Sequence, residues 1–198
     1  MTTGLTLPQI IDSIADLFFP LSCVFCSSNT LVSRDLRLCR ECAELLPLIR
    51  PPICSRCGVP LHGVPEESEI ECGLCQIDPP AYRRARYALK YKAEVRRALV
   101  GFKYASALHI GPTLGYLLME TFRRHFLPEE FDVVIPVPMS KGRLILRGFN
   151  QAAILSRKVS LSTGIPLDLS SFRKVRNTPR QVGLPRAKRL TNLAGAFS

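Results

Sequence analysis

The sequence predicts an α/β chain in two parts, a small cysteine-rich domain followed by a parallel sheet with flanking helices. Three observations predict it. All eight cysteines fall within the first 75 residues, as four Cys-x-x-Cys pairs. Charge is divided along the chain: residues 1–75 carry 5 Lys/Arg against 9 Asp/Glu, and residues 76–198 carry 22 against 7. Between two helical apolar stretches lies one β-branched run, Phe131 to Pro138 (FDVVIPVP), of the kind that fills a parallel sheet. At 198 residues and 46% hydrophobic, the chain can bury a core, which excludes disorder over its whole length.

At the amino terminus, Ile10, Ile11, Ile14, Leu17 and Phe18 recur at helical spacing and predict an amphipathic helix. Asp12 and Asp16 interrupt the apolar run from Leu5 to Phe19 and no Lys or Arg precedes it, unlike a secretory leader. No window approaches the ~20 apolar residues of a membrane span. The expectation is a cytoplasmic protein.

The cysteine pairs follow: Cys23/Cys26, Cys39/Cys42, Cys54/Cys57 and Cys72/Cys75, separated by 12, 11 and 14 residues. A Cys-x-x-Cys turn aims two sulfurs at one point, and a second pair completes a tetrahedron around Zn²⁺. A disulfide framework needs an oxidising compartment, and a redox Cys-x-x-Cys usually occurs once, after a strand. The pattern therefore predicts two structural Zn²⁺ ions, each held by four cysteines with no coordination position open for chemistry. Sequential pairing closes the shortest loops, and crossed pairing remains open. His62 lies between pairs and reads as a loop residue; His109 and His125 read as surface residues. The cysteine-rich part, with its leading helix, is expected to span residues 1–78, ending at Asp78-Pro79-Pro80, and the second part residues 79–198.

The second part opens with a strand-like segment, Arg84 to Tyr91, then helical spacing from Ala93 to Phe102. Leu108, Leu114, Leu117, Leu118 and Phe122 form a second helical stripe that stops at Pro128. After FDVVIPVP a basic, glycine-bearing loop is expected, SKGRLILRGFNQ, with Asn150 capping a helix through Ile154, Leu155 and Val159. A strand, loop and helix N-terminus present backbone N–H groups to a phosphate, with Arg143 and Arg147 beside it.

These residues resemble the ComF (ComFC/GntX-like) proteins. The likeness rests on the Pro-Val-Pro run followed by Arg143 and by Arg147-Gly148-Phe149-Asn150-Gln151. It extends to Leu89–Tyr91, Phe102-Lys103-Tyr104, Arg173, Asn177-Thr178-Pro179 with Gln181, Arg186–Ala196, and the LFFP run ahead of Cys23. The resemblance implies a double zinc ribbon joined to a type I phosphoribosyltransferase-like domain, and a role in DNA uptake during natural transformation. It implies a phosphate or pyrophosphate site at Arg143, Arg147, Gly148, Asn150 and Gln151, binding phosphoribosyl pyrophosphate (PRPP) with Mg²⁺. It also implies a mobile basic segment containing Arg173, Arg176, Arg180, Gln181, Arg186 and Arg189.

The family places its PRPP loop after the NxxGAF segment, where this chain ends at Gly195-Ala196-Phe197-Ser198. The expectation is an incomplete sheet in a chain cut short, with transferase activity left open and no catalytic residue assigned. The alternative is a non-catalytic module binding single-stranded DNA, with the basic half as groove and Tyr82, Tyr87, Tyr91, Phe102 and Tyr104 available to stack bases. Core packing is the favoured reading for those aromatics. A third reading is a scaffold docking on a DNA-uptake helicase or other competence proteins.

Overall fold

The computed structural model describes residues 21–33, 35–103, 105–179 and 181–198 of the chain, without the side chains of residues 105, 106 and 186. The expected amphipathic helix over Leu5 to Phe19, together with Tyr104 and Arg180, lies outside the described residues.

A short antiparallel hairpin comes first, β1 (Leu31–Ser33) and β2 (Leu38–Cys39), pairing Leu31 with Cys39 and Ser33 with Leu38 across a bulge. Its turn closes where the Leu36 N–H donates to Ser33 Oγ at 3.2 Å and Arg37 takes a left-handed φ of 45°. Helix α1 (Arg40–Leu45) starts directly off β2, with Cys39 as N-cap accepting the Cys42 N–H on its sulfur. A second knuckle follows, closed by the Cys54 N–H on the Val59 carbonyl (2.9 Å), and helix α2 (Gly73–Ile77) carries the last cysteine pair.

The chain then passes back between the two cysteine-rich loops. The Ala85 N–H donates to the Arg56 carbonyl (2.7 Å), the Ile49 N–H to Ala88 (3.1 Å), and the Lys90 N–H to Pro47 (2.8 Å). The strand expected from Arg84 to Tyr91 is thus extended, but among the described residues it forms a single antiparallel bridge, Leu48 to Leu89, and no ladder.

Helices α3 (Ala93–Gly101) and α4 (Gly111–His125) follow the two apolar stripes. Val95, Ala98, Leu114 and Leu117 are buried, whereas Leu108 is exposed in the 3₁₀ stretch Ala105–Ile110 between them. Pro112 sits in the first turn of α4, where its missing N–H costs nothing, and Arg123, Arg124 and His125 end the helix at its negative pole. The core is one cluster that crosses residue 78. Cys23, Phe25, Leu38 and Cys39 of the first cysteine loop pack with Val95, Ala98, Phe102, Ala107, Ile110, Leu114 and Leu117. The buried Thr113 hydroxyl donates to the Leu36 carbonyl, tying α4 to the hairpin turn.

Two of the expected elements differ. The basic segment read as a loop is a helix, α5 (Lys141–Arg147), stopped by Gly148 at a left-handed φ of 78°. Its Leu-Ile-Leu-Arg run propagates a helix once Ser140 turns the chain, and the glycine marks the stop rather than the whole loop. The run Phe131 to Pro138 is extended but joins no parallel sheet among the described residues. It makes one parallel bridge, Val134 to Leu167, with the Val134 N–H on Pro166 (2.8 Å) and the Asp168 N–H on Val134 (3.0 Å). Pro136 and Pro138 have no N–H to offer, and Val133, Ile135 and Val137 remain exposed. Helix α6 (Gln151–Thr163) is capped as expected: Asn150 Oδ1 accepts the Ala152 N–H at 3.0 Å. It packs on α4, where Gly111 and Gly115 let Ile154 and Lys158 approach. Helix α7 (Arg186–Leu193) leads into a tail that bridges Lys174 to Phe197, with Phe172 and Phe197 stacked at 5.3 Å.

Gly58 anchors the second knuckle against the returning segment. Its φ is +71°, and a Cβ there would lie 2.4 Å from the Ala85 carbonyl oxygen. Gly63 has nearly the same φ, +73°, with open space around it. Gly58→Ala is expected to destabilise the protein by at least about 2 kcal/mol and Gly63→Ala by about 1 kcal/mol. Urea midpoints of the zinc-loaded proteins measure both; equal effects would show that the Ala85 contact contributes nothing.

Candidate metal centres and the basic half

The eight cysteines meet as two tetrads in sequential order: Cys23, Cys26, Cys39 and Cys42, then Cys54, Cys57, Cys72 and Cys75. Within each, the sulfurs all lie within 4.8 Å of one another. Cys26 and Cys39 are 3.5 Å apart and Cys57 and Cys72 3.7 Å. A tetrahedron with Zn–S of ~2.3 Å requires sulfurs about 3.8 Å apart, so both tetrads fit a zinc ion. Backbone N–H groups point at the sulfurs as a thiolate needs: Cys42 on Cys39 (3.4 Å), and Cys57 and Cys72 on Cys54 (3.4 and 3.2 Å).

Electrostatics asks for the cation as well. Burial alone would push the Cys54 thiol up, but N–H groups of Cys72, Cys57 and Arg56 outweigh it and bring the pKa to about 6. Cys23 reaches about 7 the same way, against its burial, through Cys26, Cys39 and Phe25. Cys42 in the first tetrad and Cys75 in the second go the other way. Cys75 is pushed up to about 12, and Cys42 is likewise raised, first by burial and then by hydrogen bonds and charge shared with neighbouring sulfurs. Four partly buried thiolates repel one another, and a dication at their centre removes the conflict. All four ligands are cysteines, so the zinc would hold the fold and leave no position for substrate.

The two centres differ in surroundings. The first is part of the core that includes α3 and α4. The second is held from outside the core by Arg86, whose guanidinium donates to the Ser55 carbonyl at 3.0 Å, while Arg56 pairs with Glu71 at 2.7 Å. His62 is exposed and belongs to neither tetrad. His125 is half-buried, its pKa lowered by burial and then by Arg86, Arg124 and Arg84.

In the basic half, the residues expected to hold phosphate gather at the junction of α5 and α6, but several have other partners. Asn150 caps α6 and its Nδ2 donates to Val137 (3.1 Å), while Gln151 Nε2 donates to Phe102 (3.3 Å). Arg143 donates to the Thr178 carbonyl at 2.6 Å, Arg147 is half-buried in the last turn of α5, and Gly148 ends that helix. In the segment after it, Arg173, Arg176 and Arg189 donate to backbone carbonyls of Ser170, Asn192, Ala194 and Leu184. Arg180 and the Arg186 side chain are outside the described residues.

Near this junction, sequence singled out Gln181 as part of the mobile basic segment, but not Ser140 or Lys174. The Ser140 hydroxyl is buried without a hydrogen-bond partner among the described residues, and so are both polar atoms of the Gln181 carboxamide. Lys174 donates to Thr178 Oγ1 at 2.8 Å, and its pKa is lowered by burial and by repulsion from Arg143 and Arg176. No spacing rule flags a serine or lysine that converges from two distant segments. The tyrosines correct an expectation: Tyr82, Tyr87 and Tyr91 are exposed, and only Phe102 of that set packs in the described core.

Residues 14–76 match the double zinc ribbon domain, the class of module that the two tetrads define. Over most of its length the chain is homologous to the ComF-type proteins it resembles. It is 28% identical over 184 residues to competence protein F of Haemophilus influenzae, covering 91% of this chain and 77% of that protein. It is 28% identical to competence protein ComFC of Bacillus subtilis (74% of this chain, 65% of that one) and 27% identical to DNA utilization protein YhgH of Salmonella typhimurium (81% and 70%). No solved structure matches the chain. No described helix is long and apolar enough to cross a membrane.

The tetrads predict two zinc ions per chain by native mass spectrometry. Cys57→Ser is expected to leave one zinc and nearly all the helical circular dichroism, because the second ribbon stands outside the core. Cys39→Ser is expected to lose much of the helical signal along with its zinc, because its ribbon shares that core. Lowering the pH toward about 5 should release zinc from both, as protons compete for the thiolates.

Proposed function

We propose that this protein works in DNA uptake by holding a single DNA strand along a basic strip from Tyr87 through α3. The observation that carries the reading is the segment 79–119, whose sequence has 8 Lys/Arg and one acidic residue, Glu94. Arg84 and Arg86 have partners within the fold, but Lys90, Lys92, Arg96 and Arg97 are exposed. Tyr87 and Tyr91 stand among them at 48% and 65% exposure. Exposed tyrosines offer faces on which bases stack, and the cations follow the phosphate backbone. The relatives are named for competence and for DNA utilization, and this reading carries that process over to the present chain. The zinc ribbons serve as scaffold, since the strip begins where the chain leaves them.

The test is fluorescence anisotropy with oligothymidylate of about 20 nucleotides, in a salt series. Affinity should fall steeply with salt, and Lys92→Ala/Arg96→Ala should shallow the log–log slope by about 1.4. Tyr87→Ala/Tyr91→Ala should weaken binding at least about tenfold at constant slope. Absent binding at low salt, or tyrosine variants that bind like the parent, would overturn the reading.

A second reading is supported by the buried polar atoms beside α5. Ser140 Oγ lacks a partner among the described residues, while Arg143 and Lys174 repel each other across Thr178. An anion would satisfy these groups. PRPP with Mg²⁺ is the ligand implied by the ComF resemblance. Calorimetric titration should show pyrophosphate or PRPP binding that Lys174→Ala weakens about tenfold or more. Equal affinity in the variant, or no heat with either ligand, would remove this reading.

A further inference from the structure

Two exposed apolar patches with opposite surrounding charge stand on the same chain. The first is on the second ribbon, where Leu74 and Ile77 of α2 are 74% and 84% exposed. No Lys or Arg lies between Arg56 and Arg83, whereas Glu66, Glu67, Glu69, Glu71 and Asp78 do. Four thiolates on a zinc ion would add two more negative charges. The second patch is α5, where Ile145 and Leu146 are 84% and 87% exposed. Lys141, Arg143 and Arg147 lie on that helix, and no acidic residue occurs between Asp132 and Asp168. Large aliphatic side chains clustered at such exposure mark a surface that meets another protein. Both patches are exposed in the same copy, so neither covers the other within it.

We propose that the second ribbon of one copy docks on α5 of another, head to tail. Leu74 and Ile77 would leave water against Ile145 and Leu146, while the acidic ribbon faces the cations of α5. Opposite charge sets which patches meet, because ribbon against ribbon and α5 against α5 both repel. The contact joins two different surfaces, so it is heterologous and adds copies into a ring or an open chain instead of closing a symmetric dimer. The inference is independent of DNA binding, which uses the strip at Tyr87 and α3.

The test uses full-length, zinc-loaded protein freed of nucleic acid, since a bridging strand would also give salt-sensitive assembly. Sedimentation velocity at about 50 mM NaCl should show species larger than the 22.1 kDa monomer, which revert to monomer at about 500 mM. Ile145→Glu/Leu146→Glu should be monomeric at both salts. So should Leu74→Lys/Ile77→Lys, with Glu67→Lys/Glu69→Lys as a ribbon variant away from the cysteines in case the first loses zinc. Mixing an α5 variant with a ribbon variant leaves one good patch of each kind. The mixture should therefore form a one-to-one complex and nothing larger. A wild-type protein that stays monomeric at low salt overturns the proposal. So do variants that assemble like wild type, or a mixture that stays monomeric.

Discussion

Four thiolates cannot sit together in a partly buried space without a cation between them, and the rest of this structure depends on how that conflict is resolved. In each tetrad one thiol is drawn down by backbone N–H groups while buried neighbours are pushed up, so the protein alone supports only part of the charge that ligation needs. A dication makes all four charges favourable at once, and its binding energy then acts as folding energy. At the first ribbon this energy reaches far. Cys23 and Cys39 are core residues in contact with the helical half, and Thr113 of α4 fastens to the hairpin turn between the two pairs. The metal and the apolar core there stabilise one unit.

The second ribbon shows the other way to hold a zinc module. Its cysteines are as tightly gathered, but it joins the body through polar and backbone contacts: Arg86 on Ser55, Ala85 on Arg56, and the close approach of Gly58. Few buried apolar contacts mean a low free energy of local opening. One short segment, residues 85–90, meets both ribbons and leads into α3, so whatever fixes the ribbons also fixes the start of the basic strip.

What could be read from sequence was what short-range chemistry dictates. The cysteine pairs, the Asn150 cap and the two helical stripes each depend on residues within a turn or two of one another, and each formed. The failures lie where distant partners decide. A β-branched run forms a ladder only if neighbouring strands exist, and Val133–Val137 finds one bridge at Leu167. The α5 segment looked like a loop because it holds glycines and cations, yet only Gly148 adopts a φ that stops a helix. Spacing favours the core for Tyr82, Tyr87 and Tyr91, yet all three are exposed, because spacing alone does not reveal which side of an extended segment faces water. Ser140 and Lys174 come from two segments and carry no motif.

The same extended geometry explains why a zinc-bound scaffold would suit the proposed strand-binding surface. A flexible segment bearing tyrosines and lysines would lose backbone entropy of about 1–2 kcal/mol per residue on fixing a ligand, offsetting much of what each stacked base contributes. Here the Ala88 carbonyl and the Lys90 N–H are already bonded to Ile49 and Pro47, and Ala85 to Arg56. Tyr87 therefore stands on backbone held from both sides, and Tyr91 lies one residue past the last of these bonds, just ahead of Lys92, the N-cap of α3. Most of the ordering cost is met when the ribbons fold around their metal, before any ligand arrives. Zinc that takes no part in chemistry can thus still raise affinity, by deciding how rigidly the residues that touch the ligand are displayed.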